Sequence, residues 1–132
     1  MNEKMTITVM RSQLGRARGV GSAHSGVHHW VAERITAIAL VPLTLWFIAS
    51  VMGLLGASRP AVVAWAGHPV NAALLLALIA MTFHHMQLGL QVVIEDYVDD
   101  VRARQVAILV NKGVALLLGL IAAVSVLKLA LL

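Results

Sequence analysis

His84 and His85 stand together inside a long uncharged apolar stretch that ends in the polar cluster Glu95-Asp96-Tyr97. An imidazole surrounded by hydrocarbon is costly unless it hydrogen-bonds, ligates a metal or lines a cavity, so an intramembrane histidine marks a functional site by default. Gly89 and Asp96 follow His85 by 4 and 11 residues, which at about 100° per residue brings all three near one helix face. A side chain able to bind metal, a position with no side chain and a carboxylate therefore share one stripe. That layout suits a flat cofactor lying against the helix, below a polar site at the membrane surface. His84 points about 100° away, so the two histidines cannot bind one metal from the same side.

Each of these residues has a second use. His85 can be a buried histidine hydrogen-bonded to a neighbouring helix, and Gly89 a small-residue contact between helices. Asp96 and Tyr97 lie about 16 Å along the helix axis from His85. They can position and protonate a lipid-soluble oxidant, or form a solvated helix end with an interfacial aromatic. Glu33 and Arg34 read either as site residues or as an anchoring charge pair. His24, His28 and His29 read as interfacial histidines, and His68 as a loop residue.

The elements that must carry these residues follow from composition. The chain has 132 residues, 60% hydrophobic and 12% charged, too few polar groups to cover the core of a soluble domain this small. No charge falls between Arg34 and Arg59, or between Arg59 and Glu95. Lys112 and Lys128 sit towards the two ends of a third apolar run, where long side chains snorkel to the interface. About 20 apolar residues span a bilayer, which predicts an all-α membrane protein of one domain with three transmembrane helices, at about 30–56, 70–95 and 105–131. Runs rich in Leu, Ala and Ile without alternation exclude strands.

Before them, residues 1–25 form a basic stretch with Gly15, Gly19 and Gly21. It reads as an extended cytoplasmic arm, ordered only against a partner or anionic headgroups. Trp30 is placed as an interfacial anchor, and Pro42 predicts a kink in the first span. Gly53, Gly56 and Pro60 supply its stop signals, and a short external loop runs through His68 and Pro69.

Ten Lys and Arg against six Asp and Glu leave a formal charge of +4. In a soluble domain that balance would suggest nucleic acid; here the basic residues follow the membrane pattern, with no nucleic-acid partner expected. Lys4, Arg11, Arg16, Arg18 and Arg34 precede the first span, Arg102, Arg104 and Lys112 flank the second connection, and the first connection has only Arg59. The positive-inside rule then puts the N-terminus and the 95–105 loop in the cytoplasm and the C-terminus outside. The absence of cysteine excludes a disulfide framework, iron–sulfur ligation and covalent haem attachment by this chain. The apolar stretch begins after about 30 polar residues and has no signal-peptide cleavage pattern, so the N-terminal segment is expected to stay on the mature protein.

One motif ties these residues together. The segment His85-Met86-Gln87-Leu88-Gly89-Leu90-Gln91-Val92-Val93-Ile94-Glu95-Asp96-Tyr97 resembles the signature of the D-type hydrophobic membrane-anchor subunit of succinate dehydrogenase (respiratory complex II). That signature is a histidine, three residues, a glycine, six residues, then Asp-Tyr. Gly26-Val27-His28-His29-Trp30-Val31-Ala32-Glu33-Arg34-Ile35-Thr36-Ala37-Ile38 is similar to the same family's approach to its first helix. The resemblance covers the chain from about Ser22 onward; the basic arm before it has no counterpart.

The resemblance implies half of a two-subunit, haem-binding anchor bundle, completed by a second three-helix anchor of the cytochrome b556 type. The pair would hold a flavoprotein and an iron–sulfur subunit on the bacterial inner membrane, with the C-terminus periplasmic, and share a haem b and a ubiquinone site. The family's haem-ligating histidine maps onto His85, its propionate-side arginine onto Arg34, and its quinone-contacting Asp-Tyr pair onto Asp96 and Tyr97. The second haem ligand would come from the partner anchor. No succinate-oxidising centre is implied in this chain. The alternatives are the anchor of a quinol:fumarate reductase and a haem-free structural or assembly subunit in which His85 only hydrogen-bonds.

Overall fold

The computed structural model describes residues 12–18 and 24–131. Five helices follow in order: α1 Gln13–Arg18, α2 His24–Gly53, α3 Arg59–Gly67, α4 Pro69–Tyr97 and α5 Val101–Leu131. No strand occurs among the described residues. Three helical segments are long and apolar enough to cross a bilayer, Gly26–Gly53, Pro69–Tyr97 and Val101–Leu131, which makes this an all-α, multi-pass membrane protein.

Three local features depart from the pattern read in the sequence. Part of the arm expected to be extended is a short helix, α1, with Ser12 Oγ accepting the Gly15 N–H at 3.0 Å in the manner of an N-cap. The rest of the arm, with Lys4 and Arg11, lies outside the described residues. The connection through His68 is not a plain loop, because α3 fills it. Pro60 in the first turn of α3 and Pro69 at the start of α4 stand where a missing N–H costs nothing. The connection between α4 and α5 shrinks to residues 98–100, since Asp100 caps α5 by accepting the Ala103 N–H at 2.7 Å. α2 runs helical through Pro42 and unwinds after Gly53, where Gly56 takes φ 76°. That left-handed conformation suits glycine, and a side chain there would be strained.

The register of the layer is antiparallel. Thr36 of α2 meets His85 of α4, while Trp46, further along α2, stacks on Trp65 just before α4, with ring centroids 5.8 Å apart. Asn111 of α5 reaches Gln87 of α4, and Gly119 packs on Phe83. α4 packs on both α2 and α5, whereas among the described residues no Cα of α2 comes within 8 Å of one in α5. The helices thus form an open layer with α4 in the middle, closed at one end by α3. At that end Trp65 O accepts from Asn71 Nδ2 at 2.8 Å.

Very little of this layer is buried. The enclosed apolar residues are Ala66, Leu75, Leu88 and Ala115, with Thr36 and Gln87 as the enclosed polar ones. Apolar side chains such as Ile38 and Leu109 point outward instead. In hydrocarbon that arrangement is stable, because helices satisfy their own backbone and no hydrophobic force drives side chains inward. The two enclosed polar residues are the ones that tie α4 to each neighbour, as expected where polar contacts hold transmembrane helices together.

Candidate functional site

His85 sits near the middle of α4, half-buried, on the side facing α2. Its Nδ1 lies 3.0 Å from Thr36 Oγ1, and Thr36 is 4% exposed. The Thr36 hydroxyl also lies 2.8 Å from Ala32 O and 3.0 Å from Glu33 O, one turn back on α2. Among the described residues His85 Nε2 has no hydrogen-bond partner, and it is not a sealed atom. One ring nitrogen is therefore held from within the chain, while the other is accessible and without a partner among the described residues. The two uses foreseen for this histidine, helix–helix bond and ligand, engage different nitrogens and do not compete.

Gly89, one turn further along α4, borders open space: a Cβ built there would meet nothing within 4 Å. The donor set and this opening fit a planar group with a metal at its centre, ligated through Nε2 and lying along α4. No group of three or more His, Cys, Asp or Glu side chains gathers among the described residues.

His84 is exposed and turned away. With Phe83, Gln87, Lys112 and Gly119 it lines a groove of about 470 Å³ between α4 and α5. Gln87 Nε2 donates to Gln91 Oε1 at 3.0 Å, and Gln91 Nε2 to Glu95 Oε1 at 2.8 Å. This ladder carries polarity from mid-helix to the charged end of the layer.

Asp96 and Tyr97 close α4 at that end, with Tyr97 82% exposed. Neither side chain makes a hydrogen bond among the described residues, so both are available to molecules beyond the chain. Arg34 projects from α2 about 200° round from Thr36, with its guanidinium 5.6 Å from the centre of the Trp30 ring, a cation–π distance. It stands about 3 Å further along the axis than Thr36, towards the charged end. The fold therefore joins His85 to Thr36 and keeps Asp96 on the His85 stripe. Arg34 shares their end of the layer without contacting them.

The pattern of types and spacings singled out neither Thr36 nor the ladder through Gln87 and Gln91. A signal for Thr36 exists in hindsight: it is a hydroxyl one turn beyond Ala32 and Glu33 in a helix otherwise apolar at that depth. His29, read as interfacial, has a buried Nε2 with no hydrogen-bond partner among the described residues.

These features define a class, a small multi-pass membrane subunit with one imidazole oriented from inside and open to the outside. The model of the succinate dehydrogenase/fumarate reductase transmembrane subunit family matches residues 8–129, and the chain belongs to that family. It is a membrane-anchor subunit of that family. The succinate dehydrogenase hydrophobic membrane anchor subunit of Rickettsia bellii is 35% identical over 102 residues, covering 77% of this chain and 82% of the relative. The subunit of the same name from Rickettsia conorii is 31% identical over 101 residues, 76% of this chain and 80% of the relative. That from Paracoccus denitrificans is 35% identical over 82 residues, 61% of this chain and 63% of the relative. No solved structure matches the chain.

Proposed function

We propose that this chain is the D-type anchor of a succinate:quinone oxidoreductase. It would hold one side of a haem b through His85 and one side of a ubiquinone-reduction site through Tyr97 and Asp96. The observation that carries the reading is the division of labour on His85, with Nδ1 held by Thr36 and Nε2 left without a partner among the described residues, one turn from the open space at Gly89. A second three-helix anchor would supply the other ligand and cover the exposed layer, and the flavoprotein and iron–sulfur subunits would dock at the charged end.

When bound, a haem with two imidazole ligands stores and passes single electrons and offers no open position to oxygen. The chain's own residues do the rest. His85 donates the Nε2 lone pair. Arg34, exposed at the charged end, pairs with carboxylates brought there. Tyr97 supplies a neutral O–H donor to a quinone carbonyl oxygen, which gains negative charge as reduction proceeds. Asp96 orients that phenol or passes protons from the aqueous side. Succinate oxidation takes place in the flavoprotein. A role in fumarate reduction shares the same chain geometry; the curated relatives named above favour the succinate direction.

Two experiments test the reading. Purified through a tag on this chain, the assembly should contain a flavoprotein and an iron–sulfur protein and show a low-spin haem in its reduced-minus-oxidised spectrum. An isolated chain without partners and without haem absorbance would instead support an assembly role. Reporter fusions should place the 98–100 connection in the cytoplasm and the end of α5 in the periplasm, on the strength of Arg102 and Arg104. A periplasmic 98–100 connection would separate Tyr97 from a cytoplasmic iron–sulfur subunit and exclude the quinone assignment.

A further inference from the structure

The contact between Thr36 and His85 has chemical content beyond packing, and we propose that Thr36 is a positioning residue. It fixes the His85 tautomer and ring orientation, and so sets the donor strength of Nε2 toward a metal. The inference rests on the haem-ligand reading of His85. The Thr36 hydroxyl makes three close contacts, to Ala32 O at 2.8 Å, Glu33 O at 3.0 Å and His85 Nδ1 at 3.0 Å. It has one proton to share among them. Two oxygens at 2.8 Å oppose lone pair to lone pair unless that proton lies between them, so the hydroxyl donates back along its own helix. A threonine in an apolar helix commonly does this.

The remaining contact must then be supplied by histidine. Nδ1–H donates to Thr36 Oγ1, and the neutral ring carries its lone pair on Nε2, the atom without a partner among the described residues. A hydroxyl that accepts from the far ring nitrogen holds a ligating imidazole in one tautomer and makes it a stronger electron donor. The placement also links two helices. Thr36 is locked to the α2 backbone and His85 belongs to α4, so the metal-facing nitrogen keeps its aim only while the α2–α4 register holds. Thr36 is 4% exposed, so water cannot take over its role as acceptor.

The test uses the assembled complex with three substitutions at Thr36 and one control. Thr36→Val keeps the branched shape and removes the acceptor, whereas Thr36→Ser keeps the acceptor and removes the methyl group. Thr36→Ala lacks the acceptor without adding bulk, in case valine disturbs assembly. Thr36→Val and Thr36→Ala should release haem to a scavenging apomyoglobin with roughly 10–100-fold weaker retention. Their haem should also show a more positive midpoint potential and a shifted low-spin electron paramagnetic resonance signal, because a less electron-rich imidazole favours ferrous iron. Thr36→Ser should restore all three properties. If Thr36→Val behaves as wild type while Thr36→Ser is impaired, the residue acts through packing and the inference fails. It also fails if no Thr36 variant changes potential, signal or retention while His85→Ala loses the haem, an outcome that leaves the ligand assignment standing. Haem retained with an unchanged spectrum in His85→Ala would overturn the ligand assignment and this inference together.

Discussion

On the proposed function, His85→Ala is expected to abolish or strongly perturb a low-spin haem absorbance in the purified assembly, and His84→Ala to leave it intact. The two residues are adjacent and of one type, so the contrast isolates geometry from chemistry. His85 is oriented by Thr36 and lies one turn from the open space at Gly89, while His84 lies about 100° round the helix in the groove beside Lys112. A six-coordinate iron that loses one imidazole becomes five-coordinate or recruits a weaker ligand, and either change is visible in the reduced-minus-oxidised spectrum. His84→Ala removes a side chain from a groove that already has open volume, so the fold has no reason to shift. Loss of the haem in His84→Ala with retention in His85→Ala would reverse the assignment.

Tyr97→Phe is expected to lower succinate–quinone reductase activity while sparing electron transfer from succinate to a soluble artificial acceptor at the flavoprotein. Phenylalanine keeps the ring and removes one O–H donor. A hydrogen bond contributes about 0.5–1.5 kcal/mol net, and more where charge develops on the acceptor, which corresponds to a fall of roughly 2- to 13-fold or greater. The exposure of Tyr97 and its lack of a partner among the described residues mean that the substitution breaks nothing within the chain, so haem content should stay normal. Asp96→Asn should depress the same activity, with a loss that depends on pH if the carboxylate passes protons. Full quinone activity in Tyr97→Phe, with normal haem content, would make Tyr97 a belt residue and move the quinone site to the partner chains.

The three spans and the His85 stripe were legible because both rest on period and composition, which a bilayer enforces strictly. A charge-free run of about 20 residues has few alternatives, and a residue's face follows from its number. What could not be read depends on neighbours. Thr36 satisfies its hydroxyl on its own helix, so nothing in the α2 sequence announces that its lone pair is pointed at α4. Gln87 and Gln91 acquire a role only through the ladder of side-chain bonds that joins them to Glu95. The helix ends depend on local caps for a related reason. Polar residues such as Arg102 and Arg104 lie in the first turn of α5 and carry no apolar periodicity, while the signal for that start is the single side-chain cap from Asp100. α3 lies in a stretch too short to span and bracketed by Pro and Gly, which reads as a turn although it holds two turns of helix.

The open layer has a consequence for how variation in this chain combines. α4 touches both of its neighbours, and among the described residues no Cα of α2 comes within 8 Å of one in α5. A change in α5 reaches the Thr36–His85 contact through α4, or the long way round through α3, which packs on α5 and stacks Trp65 on Trp46 of α2. Alterations in α2 and α5 that lie away from both routes behave as separate traits whose effects add. Epistasis within the chain concentrates on α4 and on the Trp46–Trp65 stack, the two bridges between the outer helices.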